Sequence, residues 1–345
     1  MTSILRLAIL SALAMLLLVL GLDIGRLVLA PTRQDSIDAV RIRNAMVARL
    51  GTPEETEWRP DEVPTSFHWE NQPPPRYFAE VVTSLLPADA QQKSALSTAI
   101  GLARHLRESS RQGPPIQANS RETYEGIRAG KGGYCSDYTQ SFNALALAAG
   151  LAVREWGFAW EDMANGHAFS EVWDPELQKW VFVDSFVSFY VVDRASGLPL
   201  SVLEFRDALL DDPGAGGLEV VQIVPERFGF KSVDKALAWY RRGLPRLFLV
   251  LGNGVYSYDA DPVIQMAEIL PRSVEMVLAI VIGEHPRFLF VPRDGNRDVA
   301  EQVREMDMEL AGVLLKLAVF VLLFAAFLLT LWRVVKSPPR GAPAT

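Results

Sequence analysis

Residues 166–184 read GHAFSEVWDPELQKWVFVD, two runs of alternating side chains on either side of an Asp174-Pro175 turn signal, and the fold follows from this stretch. On a first strand His167, Phe169, Glu171 and Trp173 share one face; on a return strand from Lys179 to Asp184, Trp180, Phe182 and Asp184 share one face. A four-residue loop over 174–177 puts Trp173 opposite Gln178 and, counting back along both strands, His167 opposite Asp184. Directly opposed residues hold their Cβ atoms ~4.5–5.5 Å apart, close enough for a carboxylate to orient an imidazole and support its protonated form.

Upstream, Gly132-Gly133-Tyr134-Cys135 leads into Ser136 to Ala149, where Tyr138, Phe142, Leu145 and Ala149 fall on one face at helical spacing and Gly150 stands where a left-handed cap is wanted. Cys135 is thereby expected at a helix N-terminus, where the dipole and unpaired N–H groups favour a thiolate. Asp137 reads as a helix-start residue, and Glu171 and Trp173 as residues of the fold. Val153 to Trp160 reads as a strand between the helix and the hairpin. A nucleophilic thiol needs a base in reach and a third group to fix that base, and Cys135, His167 and Asp184 supply these types within about fifty positions.

Four blocks carry a family resemblance: Gly133-Tyr-Cys-Ser-Asp-Tyr138, Ala149-Gly-Leu-Ala-Val-Arg154, Gly166-His-Ala-Phe-Ser-Glu-Val-Trp173 and Lys179-Trp-Val-Phe-Val-Asp184. Together they resemble the transglutaminase-like superfamily, whose core is papain-like. The resemblance implies Cys135 as nucleophile, His167 as base and Asp184 as the orienting acid. Phe169 stands where many relatives have Trp, and Ser185-Phe186 where Pro-Thr is common; these departures touch packing and leave the triad types intact. The implied fold class is α+β, a Cys-bearing helix on an antiparallel sheet, flanked by N- and C-terminal transmembrane helices.

Composition removes other function classes. Forty-one acidic against thirty-four basic side chains give a net charge of −7, and no Lys/Arg cluster between the chain ends could neutralise a row of phosphates, so nucleic acid is not an expected partner. A single cysteine allows neither an intrachain disulfide nor a thiolate zinc site. His68, His105, His167 and His285 are scattered without metal-ligand spacing, and no acidic loop has calcium-binding spacing, so neither metal nor cofactor is expected.

The ends read as membrane segments. Leu7 to Leu22 is apolar apart from Ser11, is bounded by Arg6 and Asp23, and with Ile4 and Leu5 approaches the ~20 residues that cross a hydrocarbon core. A removed signal has similar length, but the small-residue cleavage pattern is missing and Pro31 follows Leu29-Ala30, which favours an uncleaved anchor. About Leu310 to Trp332 contains one charge, Lys316, whose stem can lift its ammonium toward the interface. Arg333, Lys336 and Arg340 follow, whereas Glu301 to Glu309 is mostly acidic, which puts the C-terminus, and through two spans Met1, in the cytoplasm. The expectation is a two-pass cell-membrane protein with an extracytoplasmic, periplasmic catalytic domain.

The expected organisation is an anchor over 1–25, a stalk and Pro-rich covering loop over 26–76, the transglutaminase-like core over 77–200, an extension over 201–309, a transmembrane helix over 310–333 and a cytoplasmic tail over 334–345. Helices are expected over Tyr77 to Leu86, Asp89 to Arg107 and Ser232 to Arg242, with a last one from about Asp298 running into the second span. The apolar runs Leu247 to Leu251 and Val274 to Ile282 are too short to span, leaving core burial or contact with the membrane surface open. The implied chemistry is attack of the Cys135 thiolate on an amide or ester carbonyl of a protein or peptide, giving a thioester resolved by water or by an amine. Peptide hydrolysis is the first expectation. The reading from a different class is a non-catalytic scaffold of the same fold in an envelope or polysaccharide-export assembly, with envelope proteins as partners.

Overall fold

In the computed structural model, which describes residues 3–30, 32–86, 94–109, 111, 113–270, 272–293 and 297–336, the alternation over 153–184 becomes three neighbouring antiparallel strands. In chain order the first half contains α1 (Ser3–Leu29), α2 (Arg33–Val47), β1 (Ala48–Leu50), α3 (Arg76–Leu85), α4 (Ala95–Glu108), α5 (Ser120–Arg128), α6 (Cys135–Ala148), β2 (Val153–Ala159), β3 (Gly166–Asp174) and β4 (Lys179–Val183). There follow β5 (Phe189–Asp193), α7 (Val202–Asp211), β6 (Leu218–Gln222), α8 (Val233–Gly243), β7 (Leu247–Val250), α9 (Val255–Ala260), α10 (Pro262–Ala267), α11 (Arg272–Ile282), β8 (Phe288–Phe290) and α12 (Arg297–Val335). The chain divides into two compact units, residues 47–303 and the paired segments 1–46 and 304–345.

In the larger unit a six-stranded sheet has the order β1-β8-β7-β2-β3-β4, with a separate β5-β6 pair. Because strand side chains alternate between faces, the sheet builds two cores. Val153, Val172 and Val183 face α3 to α6, packing with Phe78, Leu102, Ile127 and Phe142. Trp156, Phe158, Phe169 and Phe182 point the other way, toward Phe205 of α7 and Tyr240 of α8. The run Leu247 to Leu251 is core strand, and the segment read as a covering loop contributes Trp58 and Phe67 to the same core. α6 ends where expected: Gly150 has φ +77°, and Leu151 N–H reaches back to the Ala146 carbonyl at 2.9 Å. The helix expected from Asp89 is described only from Ala95, with Ser94 as its N-cap; Asp89 lies outside the described residues.

The β3-β4 hairpin corrects the expected register. Its loop has the expected four residues but starts one later, at Pro175, so Trp173 pairs with Trp180 and Asp174 with Lys179. Asp174 stays in the strand because its carboxylate caps the turn, accepting from Glu176 N–H at 2.9 Å and Leu177 N–H at 3.1 Å. The pairing therefore slips by two residues, and His167 is not directly opposite Asp184. A two-residue slip preserves the face, so both still point to one side.

The smaller unit holds the candidate spans. Ile4–Leu29 and the apolar part of Arg297–Val335 are both long and apolar enough to cross a bilayer. Lys316 has an ion-pair partner: its Nζ lies 2.6 Å from Asp23 Oδ2, so each charge offsets the other at the ends of the two apolar stretches. The helix expected from Asp298 does run on into the second span.

Glu171 ties the larger unit together. Buried, it accepts from Arg154 Nη2 at 2.7 Å, Trp156 Nε1 at 2.5 Å and the Val202 N–H at 2.6 Å, linking β2, β3 and the start of α7. Arg154 also donates to the Thr56 carbonyl at 2.7 Å and lies 4.2 Å from the Trp180 ring centroid. Breaking a buried pair strands the remaining charge, so Glu171→Gln should lower unfolding free energy by about 3–5 kcal/mol. Chemical denaturation of the detergent-purified chain checks this, with exposed Glu176→Gln shifting stability by less than about 0.5 kcal/mol as the control.

Candidate active site

Cys135 is the first residue of α6, and the backbone that delivers it is tightly folded. Gly132 and Gly133 have φ of +113° and +121°, a region that side chains avoid. Gly132 also passes so close to Gly113 that a Cβ on it would lie 2.5 Å from the Gly113 Cα. Asp137 fixes this entry: its buried carboxylate accepts from Tyr134 N–H at 2.7 Å, Ile116 N–H at 3.0 Å and Gln117 N–H at 2.8 Å. The helix-start role read from the sequence thus extends to clamping a second loop.

His167 and Asp184 meet despite the register slip. His167 Nε2 lies 2.5 Å from Asp184 Oδ2, and both side chains are buried. Past Val183 the chain leaves the hairpin, and a tight turn returns Phe189 N–H to the Asp184 carbonyl at 3.1 Å. That turn aims Val187 N–H at Asp184 Oδ1, 2.6 Å away. Cys135 acts on the same ring, close enough for its thiol to shift the titration of the imidazole. The structure therefore brings all three sequence-selected residues together.

The imidazole is a contest between solvation and charge. Burial alone pulls its pKa down; the charge and hydrogen bond of Asp184, then those of Cys135, pull harder and raise it to about 10. Phe158, Phe169, Phe186, Trp239 and Tyr240 enclose the ring with centroids 5.0 to 6.0 Å away, which excludes water. Phe186 sits between Tyr138 and His167, and Phe169 lies beside the imidazole, so both departures from the family pattern are packing residues of the site.

Two contributors were missed from sequence. Tyr240 of α8 donates its hydroxyl to Asp184 Oδ2 and lies 3.2 Å from His167 Nε2. Burial first, then the charge of Asp184, pushes its phenol pKa well up, so it stays a donor. Ala236, Leu237 and Tyr240 form the buried stripe of α8, which a helical pattern reveals; a buried phenol needs a partner, but the pattern does not name it. Arg107 of α4 is the second, its guanidinium over the Phe186 ring at 5.5 Å and electrostatically coupled to Asp184. Of the other histidines, His105 is bonded to Tyr124 at 2.9 Å, and no group of His, Cys, Asp or Glu among the described residues is arranged to hold a metal.

Residues 83–185 match the family model of the transglutaminase-like superfamily. The chain carries a transglutaminase-like domain. No curated protein and no solved structure gave a match. The matched segment contains Cys135, His167 and Asp184, whereas Tyr240, which completes the surroundings of Asp184 in this transglutaminase-like domain, lies beyond it.

Two outcomes follow. Because the folded His167 titrates above its unfolded value, its contribution to stability is complete below about pH 6.5 and is lost as pH rises toward 10. The stability gap between parent and His167→Gln, from denaturation curves, should therefore be widest at pH 6 and shrink by pH 10. Tyr240→Phe removes a charge-assisted donor and should cost about 1.5–3 kcal/mol. With one donor fewer, Asp184 holds the imidazolium more tightly, so the His167 titration followed by NMR should move upward.

Proposed function

We propose that the chain is a membrane-anchored thiol enzyme in which Cys135 is the nucleophile, His167 the base and Asp184 the group that orients it. The buried Asp184–His167 hydrogen bond, with the half-buried Cys135 thiol acting on the same imidazole, carries this reading. Its imidazole is held in the protonated form, the partner a thiolate needs. The Cys135 sulfur attacks an amide carbonyl of a protein or peptide; as the C–N bond breaks, His167 passes a proton to the departing amine and a thioester remains. Water then adds with His167 as base, releasing the carboxylic acid and restoring the thiol. The first turn of α6 offers N–H groups without intrahelical partners beside the sulfur, the natural donors to the oxyanion.

Hydrolysis is preferred over transfer to an amine because water is present without a second binding groove. The same thioester serves acyl transfer or deamidation when an amine or a glutamine side chain takes part. Arg333 and Lys336 after the second span, against the acidic stretch before it, support cytoplasmic termini and an extracytoplasmic, periplasmic domain.

The test uses the full chain in detergent with p-nitrophenyl acetate as acyl donor. Parent protein should release nitrophenolate with acetyl mass added to the Cys135 peptide, removable by hydroxylamine. Cys135→Ser should lose the adduct, and His167→Ala should slow release by about 10²–10⁴-fold. Absence of any Cys135 adduct in the parent would mean that the domain binds without chemistry, as the scaffold reading holds.

A further inference from the structure

Among the described residues of the larger unit, ten large hydrophobic side chains are exposed, and seven of them fall within residues 263–282: Val263, Met266, Ile269, Leu270, Val277, Val281 and Ile282. Met266, Ile269 and Val281 are 75%, 88% and 70% exposed. A folded domain scatters such residues singly, so a cluster of this kind marks a surface that meets something other than water.

The cluster is organised by helix geometry. In α10, Ile264 and Ala267 are buried while Val263 and Met266, three residues apart, face outward. In α11, Glu275 and Ala279 are buried, and Val277 and Val281 face outward four residues apart. Ile269 and Leu270 extend the outward surface between the helices. From Met276 to Ile282 no residue is polar or charged, so the outer face of α11 lacks the stripe a water-facing helix carries.

We infer that the outward faces of α10 and α11 rest in the interfacial layer of the bilayer, a third membrane contact beside the two spans. The occupant is lipid because the same chain carries two candidate membrane-spanning helices, which tether the domain to a bilayer and keep that surface at high local concentration. A short connection and one strand separate α11 from α12, the second of those helices. Arg272 is the one Lys or Arg between Val263 and Ile282, against Glu268 and Glu275, so apolar burial drives the contact and anionic lipid is not required. This placement is independent of the thiol chemistry.

The test places single cysteines in full-length Cys135→Ala protein reconstituted into liposomes: Met266→Cys, Ile269→Cys and Val281→Cys, with exposed Glu176→Cys as the aqueous control. Each carries an environment-sensitive fluorophore, read against nitroxide-bearing lipid and against aqueous iodide. The three patch positions should emit blue-shifted, lose most of their emission to the nitroxide lipid and resist iodide, equally in phosphatidylcholine and in phosphatidylglycerol-containing vesicles; position 176 should respond to iodide alone. Iodide quenching at all four positions, with no lipid quenching, would overturn the inference. Protection from both quenchers, with energy transfer between labelled copies, would overturn it in favour of a second copy as occupant.

Discussion

The Asp184 carboxylate is wholly buried, and a charge in that position survives only if protein groups replace the water it has lost. Three do: His167 Nε2 and the Tyr240 hydroxyl at Oδ2, and the Val187 N–H at Oδ1. These come from β3, from α8 and from the turn after β4, so satisfying one carboxylate requires the hairpin, the turn and the helix to be in place together. The proposed thiol chemistry inherits this requirement. Burial alone would lower the pKa of the imidazole and the charge of Asp184 beside it raises it, and a charged imidazole is the partner that the proposed nucleophile Cys135 needs.

A second buried carboxylate, Glu171, performs the structural counterpart two turns of the pleat along the same strand. It faces the same core as His167 and gathers Arg154, Trp156 and the first N–H of α7. The two acids differ in what they hold. Glu171 is matched to a guanidinium that stays charged at any working pH, so it fixes the sheet; Asp184 is matched to a group that can gain and lose a proton. One face of β3 therefore carries both the permanent and the titratable pair.

Much of this was legible in the sequence because it rests on periodicity. Period-two alternation assigned His167 and Asp184 to one face, and that assignment outlived a hairpin register wrong by two residues, since an even slip never exchanges faces. Cys135 at a helix start, the Gly150 cap and the long final helix were equally local signals. What escaped was non-local. Tyr240 follows Asp184 by more than fifty positions on a helix whose pattern shows only that it is buried, and the return of the chain at Val187 depends on a turn with no sequence signature. The run Val274 to Ile282 was ambiguous for a related reason: hydrophobicity marks a face as hidden from water without saying whether protein or lipid hides it.

Whether His167 activates Cys135 is tested most directly by the rate of Cys135 alkylation by iodoacetamide from pH 6 to pH 10 in the parent, His167→Ala and Asp184→Asn proteins. A working pair predicts that the parent already reacts rapidly at pH 6 to 7, that both variants are much slower there, and that the gap closes at alkaline pH, where a thiol ionises unaided. A parent rate as slow as that of the variants near neutral pH, rising with pH in parallel with theirs, would contradict it.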